Sequence, residues 1–394
     1  MSGYPRILLT EEGMRDGMQI ESANIPVNDK IALLDMLSDT GLKEIAVGSF
    51  VNPTWVPQMS CIEEIIKGFH PRPGVKYVAT ALNERGRERI RQFIPPLSER
   101  TQGYQTAAHL CDVFAQRNTN RKQEQEIAQW PKIIESAKAA GAGDAGIGIN
   151  AAWGSNWVGD FTQEQRMQML DRQYRLWEEA GIPVERVSLY DPMGWNMPDQ
   201  VERQLAAIKE RWPSIHNFNL HLHNSRGVAL TSIYASLKVL EHGDTLLLQP
   251  AIGGMGGCPF CGNGRGAGLV PTEDLVFMLE EMGIATGVNL EQLIQTVWRA
   301  EEIVGHPLWG HVSKSGPRPR YKNLYPMDMP FVETLDQAKH FLKGSDTYQG
   351  ALSPWKRPIQ SYQRPDHDGQ HQQVGGDVIQ RAAVVDAVDR FSRS

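Results

Sequence analysis

Asn217-Phe218-Asn219-Leu220-His221-Leu222-His223 is the stretch on which the reading of the fold turns. Residues two apart on an extended strand share a face, so His221 and His223 project to one side while Leu220 and Leu222 project to the other. A helical pattern over Ser225–Glu241 follows, and then a second short β-rich run at Thr245–Ala251. The same strand-then-helix unit recurs upstream. Runs at Arg6–Thr10, Glu44–Phe50, Val75–Ala81, Tyr104–Leu110, Asp144–Asn150 and Arg186–Tyr190 alternate with helical stretches. Asp29–Ser38 carries Ile31, Leu34, Met36 and Leu37 on a helical face and has Gly41 as a stop. Thr162–Ala180 opens at Thr162, lacks a carboxylate three residues on but has Glu164 close by, and closes at Gly181. Glu273–Met282 continues the rhythm after the last strand. The fold class is therefore α/β. Eight strands, each followed by a helix, predict a (β/α)8 TIM barrel with a C-terminal extension. A doubly wound open sheet is the rival, because alternation alone does not show closure.

Composition narrows the function classes. The 394-residue chain is 41% hydrophobic and 22% charged, an ordinary globular balance. Forty basic against 46 acidic residues give a formal charge of −6, a poor basis for phosphate neutralisation, so no nucleic-acid partner is expected. No run approaches the roughly 18 apolar residues of a bilayer span. The opening Met1-Ser2-Gly3-Tyr4-Pro5-Arg6 has no apolar signal core, and four cysteines make no disulfide scaffold, so a cytoplasmic protein is expected. After about His306 the texture changes, giving expected domains of 1–308 for a catalytic barrel and 309–394 for an extension. The extension contains a Lys-, Arg- and Pro-rich strap at Ser313–Tyr325, a short helical pattern at Thr334–Leu342, a polar stretch with His367 and His371, and an amphipathic pattern at Val378–Phe391. The last is expected to dock on the barrel or to seal a homodimer.

Barrel enzymes place reacting groups at the C-terminal ends of their strands. Here those ends carry Arg15-Asp16-Gly17, Asp191, His221-Leu222-His223, and a glycine-rich loop, Gly253-Gly254-Met255-Gly256-Gly257-Cys258. Two imidazoles and the Asp16 carboxylate suit a divalent metal, with Mg2+, Mn2+, Co2+ and Zn2+ all compatible with the mixed donor set. Arg15 reads as a rim ion pair or as a cation facing a developing enolate. Asp191 reads as a helix cap or as a general acid/base. Cys258 sits on a loop flexible enough to carry its thiol to a reacting carbon. With Cys261 it forms a Cys-x-x-Cys that lacks the second pair a structural zinc needs, and a redox pair is the alternative. Gly262, Gly264, Gly266 and Gly268 permit close backbone approach to an anion. No Gly-x-x-x-x-Gly-Lys-Ser/Thr loop is present.

Over about residues 7–305 the chain resembles the 3-hydroxy-3-methylglutaryl-CoA (HMG-CoA) lyase family of metal-dependent lyase, aldolase and synthase barrels. The resemblance rests on Glu12-Gly13-Met14-Arg15-Asp16-Gly17-Met18-Gln19, Ser49-Phe50-Val51-Asn52-Pro53-Thr54-Trp55-Val56-Pro57-Gln58-Met59, Ser188-Leu189-Tyr190-Asp191, His221-Leu222-His223, Gly256-Gly257-Cys258-Pro259-Phe260 and Pro271-Thr272-Glu273-Asp274-Leu275. It implies that Asp16, His221 and His223 hold the metal, that Arg15 stabilises an enolate, that Asp191 transfers a proton, and that Cys258 is the loop thiol. Gln19 and Asn263 are the substrate-binding candidates. Two departures stand out. Ala46 occupies the place of a second-strand glutamate, and Leu269 that of a metal-binding asparagine, in a loop two residues longer than the family's. Asn263 is the residue available to supply the missing ligand.

These features imply carbon–carbon cleavage of a tertiary 3-hydroxyacyl-CoA, with a substituent altered to match the apolar Ala46. The alternatives are the same site run as a condensing synthase, aldol cleavage of a free 4-hydroxy-2-oxo acid, and a non-catalytic barrel serving as a binding subunit. Arg318, Arg320 and Lys322 read as contacts to CoA phosphates or as a solvated strap.

Overall fold

The computed structural model describes residues 3–81, 84–98, 103–261 and 268–320, together with Leu324. All eight expected strands form: β1 (Arg6–Glu11), β2 (Glu44–Ser49), β3 (Lys76–Thr80), β4 (Gln105–His109), β5 (Ala145–Asn150), β6 (Val184–Asp191), β7 (Asn217–Leu222) and β8 (Thr245–Leu248). They are hydrogen-bonded in the order β3-β2-β1-β8-β7-β6-β5-β4, and every pairing is parallel. The β1–β8 pairing, with Arg6 opposite Thr245 and Leu9 opposite Leu248, decides between the two architectures. A doubly wound sheet puts its first strand inside and its last at an edge, whereas a barrel seals first to last. The order is that of a TIM-barrel-like sheet whose ladder has its two ends at β3 and β4.

Alternation sorts the side chains between a helix-facing layer and the lumen. Outward residues Ile147, Leu189, Leu220 and Leu246 pack with Trp177, Leu205 and Leu237 in one buried cluster. Ile45 and Val47 pack with Leu33, Leu37, Ile65 and Val297 in a second. Burying each such side chain contributes about 1.5–3 kcal/mol. Trp177 is fully buried, and its indole N–H donates to Thr106 Oγ1 at 3.0 Å, so its polar handle is not left unpaired.

Helix boundaries follow local hydrogen bonding. The helix after β5 spans Gln163–Glu179, with Thr162 as N-cap accepting from Gln165 N. The Gln165 amide reaches back to Thr162 N, so an amide completes the capping box where the sequence offers no carboxylate. The helix expected over Ser225–Glu241 is shorter, Ala229–Val239, because Asn224 Oδ1 accepts from Ala229 N and Gly227 turns the chain at φ +74°. The expected Glu273–Met282 helix spans Thr272–Glu281, and Leu290–Val304 is a further helix.

Two compact units divide the chain at 313/314. In the second, Arg318 and Arg320 are exposed. Asn263, Lys322, His367, His371 and the patterns at Thr334–Leu342 and Val378–Phe391 lie outside the described residues, as do Gly262, Gly264 and Gly266. Among the described residues no helix is long and apolar enough to cross a membrane.

Candidate active site

Strand alternation delivers the two histidines as their spacing predicts. His221 is the penultimate residue of β7, on its inner face, and His223 follows just beyond the strand. Their Nε2 atoms lie 3.2 Å apart. Asp16 Oδ2 is 3.7 Å from the first and 3.3 Å from the second. All three residues are buried, and among the described residues they form the one carboxylate–imidazole cluster with the spacing of a metal site.

The turn carrying Asp16 is stapled from below. Glu11 ends β1 and is wholly buried. Its carboxylate accepts from Gly13 N and Ile252 N, each at 2.8 Å, and from the Thr272 hydroxyl. One side chain thus ties the turn after β1 to the loop after β8 and to the helix behind it. Burial pushes Glu11 up to about 7. Glu273 accepts from Gly253 N at 2.9 Å, and burial pushes it up to about 8.

The site is built to present electron pairs. His221 Nδ1 lies 2.9 Å from Gln249 Oε1, an atom that only accepts, so the ring proton sits on Nδ1 and Nε2 carries the lone pair. Burial pushes His221 down to about 3, which keeps the ring neutral. Burial alone would raise the Asp16 carboxyl, but His223, the Arg15 guanidinium and His221 beside it hold it well below the usual carboxylate range. Asp16 Oδ2 is buried without a hydrogen bond in good geometry. The His221 Nε2 lone pair and the Asp16 Oδ2 charge converge with His223 Nε2 in a dry space, a repulsion that either a proton on His223 Nε2 or a cation between the three atoms offsets. The residues therefore fit a divalent cation held by one oxygen and two nitrogens.

Arg15 lies between two carboxylates, with Nη1 3.1 Å from Asp16 Oδ1 and Nε 3.4 Å from Glu12 Oε2. Burial works against its charge, but Glu12, Asp16, Tyr190 and Cys258 around it more than compensate. Asp191 ends β6 fully buried, accepting from Trp195 N at Oδ1 and from both Asn196 N and Nδ2 at Oδ2. Burial raises its pKa despite these donors. Asn196 Nδ2 also donates to His223 O at 3.1 Å, so this carboxylate shapes the turn that steadies His223.

The Cys258 loop packs hard against the Asp16 turn. Gly256 has φ +101°, and a Cβ there would lie 3.1 Å from Asp16 O. Beyond it, Phe260 O accepts from Arg117 Nε, Cys261 O accepts from Asn156 Nδ2, and the Cys261 thiol donates to Pro192 O. The expected flexible loop is thus anchored at its Phe260–Cys261 end. Cys258 is half-buried and Cys261 fully so. Gln19 is half-buried on the 3-10 turn Gly17–Ile20 that follows Asp16. Gly268, expected to approach an anion, packs instead on the backbone of Met255, where a Cβ would lie 1.9 Å from its carbonyl oxygen. Leu269 pairs by its backbone with His223, and its side chain joins the apolar cluster.

Four contributors escaped the sequence reading: Gln249, Glu11, Tyr190 and Asn196. Gln249 had a signal, since it lies two positions after Leu247 on the inner side of the last strand. Tyr190 lies on the inner face of β6 with its ring 5.8 Å from that of His221.

A barrel with a cation-ready carboxylate–imidazole cluster and a guanidinium at the mouth defines a class of enzymes that stabilise anionic intermediates. A family profile described as HMGL-like matches residues 6–298. Hydroxymethylglutaryl-CoA lyase YngG of Bacillus subtilis is 31% identical over 309 residues, covering 77% of this chain and 96% of its own. A 3-hydroxy-3-isohexenylglutaryl-CoA/hydroxymethylglutaryl-CoA lyase of Pseudomonas aeruginosa is 33% identical over 301 residues, covering 76% and 93%. The crystal structure of an HMG-CoA lyase from Acinetobacter baumannii with coenzyme A and 3-methylmalate superposes with a TM-score of 0.65 at 28% identity, covering 82% of this chain and 98% of that one. The chain belongs to the HMGL-like family and is a carbon–carbon lyase of the HMG-CoA lyase type.

Proposed function

We propose that the protein is a divalent-cation-dependent lyase that cleaves a tertiary 3-hydroxyacyl-CoA into an acetyl-CoA-type thioester and a carbonyl compound. The observation that carries this reading is the meeting of Asp16 Oδ2 with the two Nε2 atoms within 3.7 Å. Asp16, His221 and His223 would hold the cation, which when bound would supply Lewis acidity toward the substrate hydroxyl. Asp191 takes the hydroxyl proton at Oδ1, which has a single hydrogen-bond donor, and its burial-raised pKa suits it to that task. The bond between C2 and C3 breaks, its electron pair passing to the thioester as an enolate. Arg15 offsets that charge from a site largely screened from water. The Cys258 thiol returns a proton to the enolate carbon, and Gln19 contacts the substrate from the turn beside Asp16.

Support for the CoA thioester comes from relatives named as lyases of such substrates and from the coenzyme A in one solved relative. The carboxylate-to-methyl change at Ala46 supports an acyl group with a substituent other than methyl at C3. Asn263 as a substitute ligand and pairing of two copies through Val378–Phe391 belong to the same reading, and both fall on residues outside those described. The test is incubation of the full chain with a panel of tertiary 3-hydroxyacyl-CoAs and each of Mg2+, Mn2+, Co2+ and Zn2+, with mass spectrometry of the products. Cation-dependent release of a carbonyl compound with acetyl-CoA is expected. Turnover only in the condensing direction, or only of free hydroxy acids, would replace the proposal with a synthase or an aldolase.

A further inference from the structure

The lumen of a TIM barrel is ordinarily a packed core of branched side chains. This one is not filled at its N-terminal end. A cavity of about 560 Å3 opens among the first residues of the strands, at the opposite end from Asp16. Leu8, at the middle of β1, is 39% exposed to it. Part of the space comes from β5, which offers Gly146 and Gly148 to the lumen, with the Gln105 side chain lying across both and Ser188 O and the Ala107 methyl also against Gly148. Ser188 and Gln105 are hydrogen-bonded to each other at 3.1 Å.

Deeper in, Asn219 is 7% exposed and lines the same cavity. Its Nδ2 donates to Tyr190 Oη at 3.4 Å, but its Oδ1 has no partner. A buried amide oxygen left unpaired costs about 1–3 kcal/mol, so a donor is expected to meet it. At the mouth stand Arg6, Lys43 and Lys76, none of which makes an ion pair among the described residues. Arg186 on the same rim is taken by Asp144. The carboxylate facing this group is Glu44, which accepts from Thr10 Oγ1.

We infer that the N-terminal lumen is a second binding site, for a small organic anion. Its carboxylate or phosphate lies among Arg6, Lys43 and Lys76, its short apolar body lies along Leu8 and Leu247, and a hydroxyl donates to Asn219 Oδ1. The site is independent of the lyase reaction.

Isothermal titration of the full chain with 3-hydroxybutyrate, glycerol 3-phosphate and butyrate tests this. Saturable one-to-one binding of at least one hydroxylated probe is expected, and the tighter of the two identifies the head group. Arg6→Ala/Lys76→Ala should weaken it about tenfold and flatten its salt dependence. Asn219→Leu should remove a roughly fivefold preference for 3-hydroxybutyrate over butyrate. Leu8→Trp, which fills the lumen, should abolish binding, and His223→Ala should leave it unchanged. The surface pair Arg6 and Lys76 keeps the test valid if a lumen variant fails to fold, as judged by circular dichroism. No saturable binding of either hydroxylated probe, as for a lumen holding only water, overturns the inference. So does binding lost in His223→Ala and kept in the Arg6/Lys76 variant.

Discussion

Gln249→Leu isolates the device that makes His221 a donor of electrons. In the native site Nδ1–H meets Gln249 Oε1 at 2.9 Å, and both side chains are at least nine-tenths buried. Leucine removes the acceptor and leaves a buried N–H unpaired, a cost of about 1–3 kcal/mol. The ring can escape that cost by moving its proton to Nε2. That proton then points into the space between His223 Nε2, 3.2 Å away, and Asp16 Oδ2, 3.7 Å away. The second tautomer satisfies the ring but withdraws one of the three atoms proposed to hold the cation. Loss of such a supporting partner weakens cation affinity by about 10–100-fold, or roughly 1.4–2.7 kcal/mol. Gln249→Glu keeps an acceptor and should bind within a few-fold of the native protein. Calorimetric titration with Mn2+ or Co2+ reads the effect directly, without any assay of turnover. A Gln249→Leu protein that is folded and binds the cation within twofold of native would refute the reasoning.

Three other perturbations separate the roles of neighbouring groups. Asp16→Ala should lose cation binding and activity together, by more than 100-fold in each, as read by titration and by product formation. Cys258→Ser should keep native cation affinity yet turn over about 100-fold more slowly, since a hydroxyl is a poorer proton donor to carbon; full activity would remove the thiol from the chemistry. Glu273 tests the buried acidic foundation. Burial raises its pKa from 4.5 to about 8, with Asp274 and Glu11 adding to the rise, so its contribution to stability is fully present below pH 4.5 and is lost as pH climbs through about 8. Glu273→Gln should flatten that loss, with Tm exceeding the native value at pH 9 by several degrees and the gap closing toward pH 5. A native and variant Tm difference that does not change between those limits would show that Glu273 titrates normally.

The parts of the fold and site that could be read in the sequence are those set by local periodicity. His221 and His223 share a face because a strand repeats every two residues, and their convergence in space follows directly. Strand count and alternation gave the barrel, but the Arg6–Thr245 pairing that closes it spans the whole domain and leaves no local signature. Glu11 is the clearest omission. Its partners Ile252 and Thr272 are 241 and 261 residues away, so nothing beside it announces that it joins two loops. Asp191 is not the helix cap that its place in the sequence suggests: the next helix starts at Pro198 with Met197 as N-cap, and the carboxylate instead accepts from three donors in the turn at Trp195 and Asn196, a bonding pattern no local periodicity announces. The Cys258 loop reads as free because glycines surround it, whereas the groups that anchor it, Arg117, Asn156 and Pro192, come from beyond the ends of three other strands, β4, β5 and β6.

Ala46 and Leu269, the two apolar departures from the family pattern, lead to a graded prediction about substrate. Leu269 sits against the His223 backbone with its side chain in the apolar cluster, and so contributes no ligand. Ala46 is fully buried on β2 and lies outside both helix-facing clusters, which puts its methyl on the inner side. A wall without the carboxylate imposes a smaller desolvation cost on an alkyl group. Each buried CH2 contributes about 0.8 kcal/mol, or about fourfold in kcat/KM where the pocket accommodates it. Across 3-hydroxyacyl-CoAs with methyl, ethyl and propyl at C3, kcat/KM should therefore rise by about fourfold per step until the wall is reached. Ala46→Glu should reverse the order, favouring methyl, because a longer chain would then strip water from a charge. Both proteins should bind Mn2+ alike, which separates a change in pocket from a loss of the cation site. A response that is flat in the native protein and unaltered by Ala46→Glu would mean that this wall does not meet the C3 substituent.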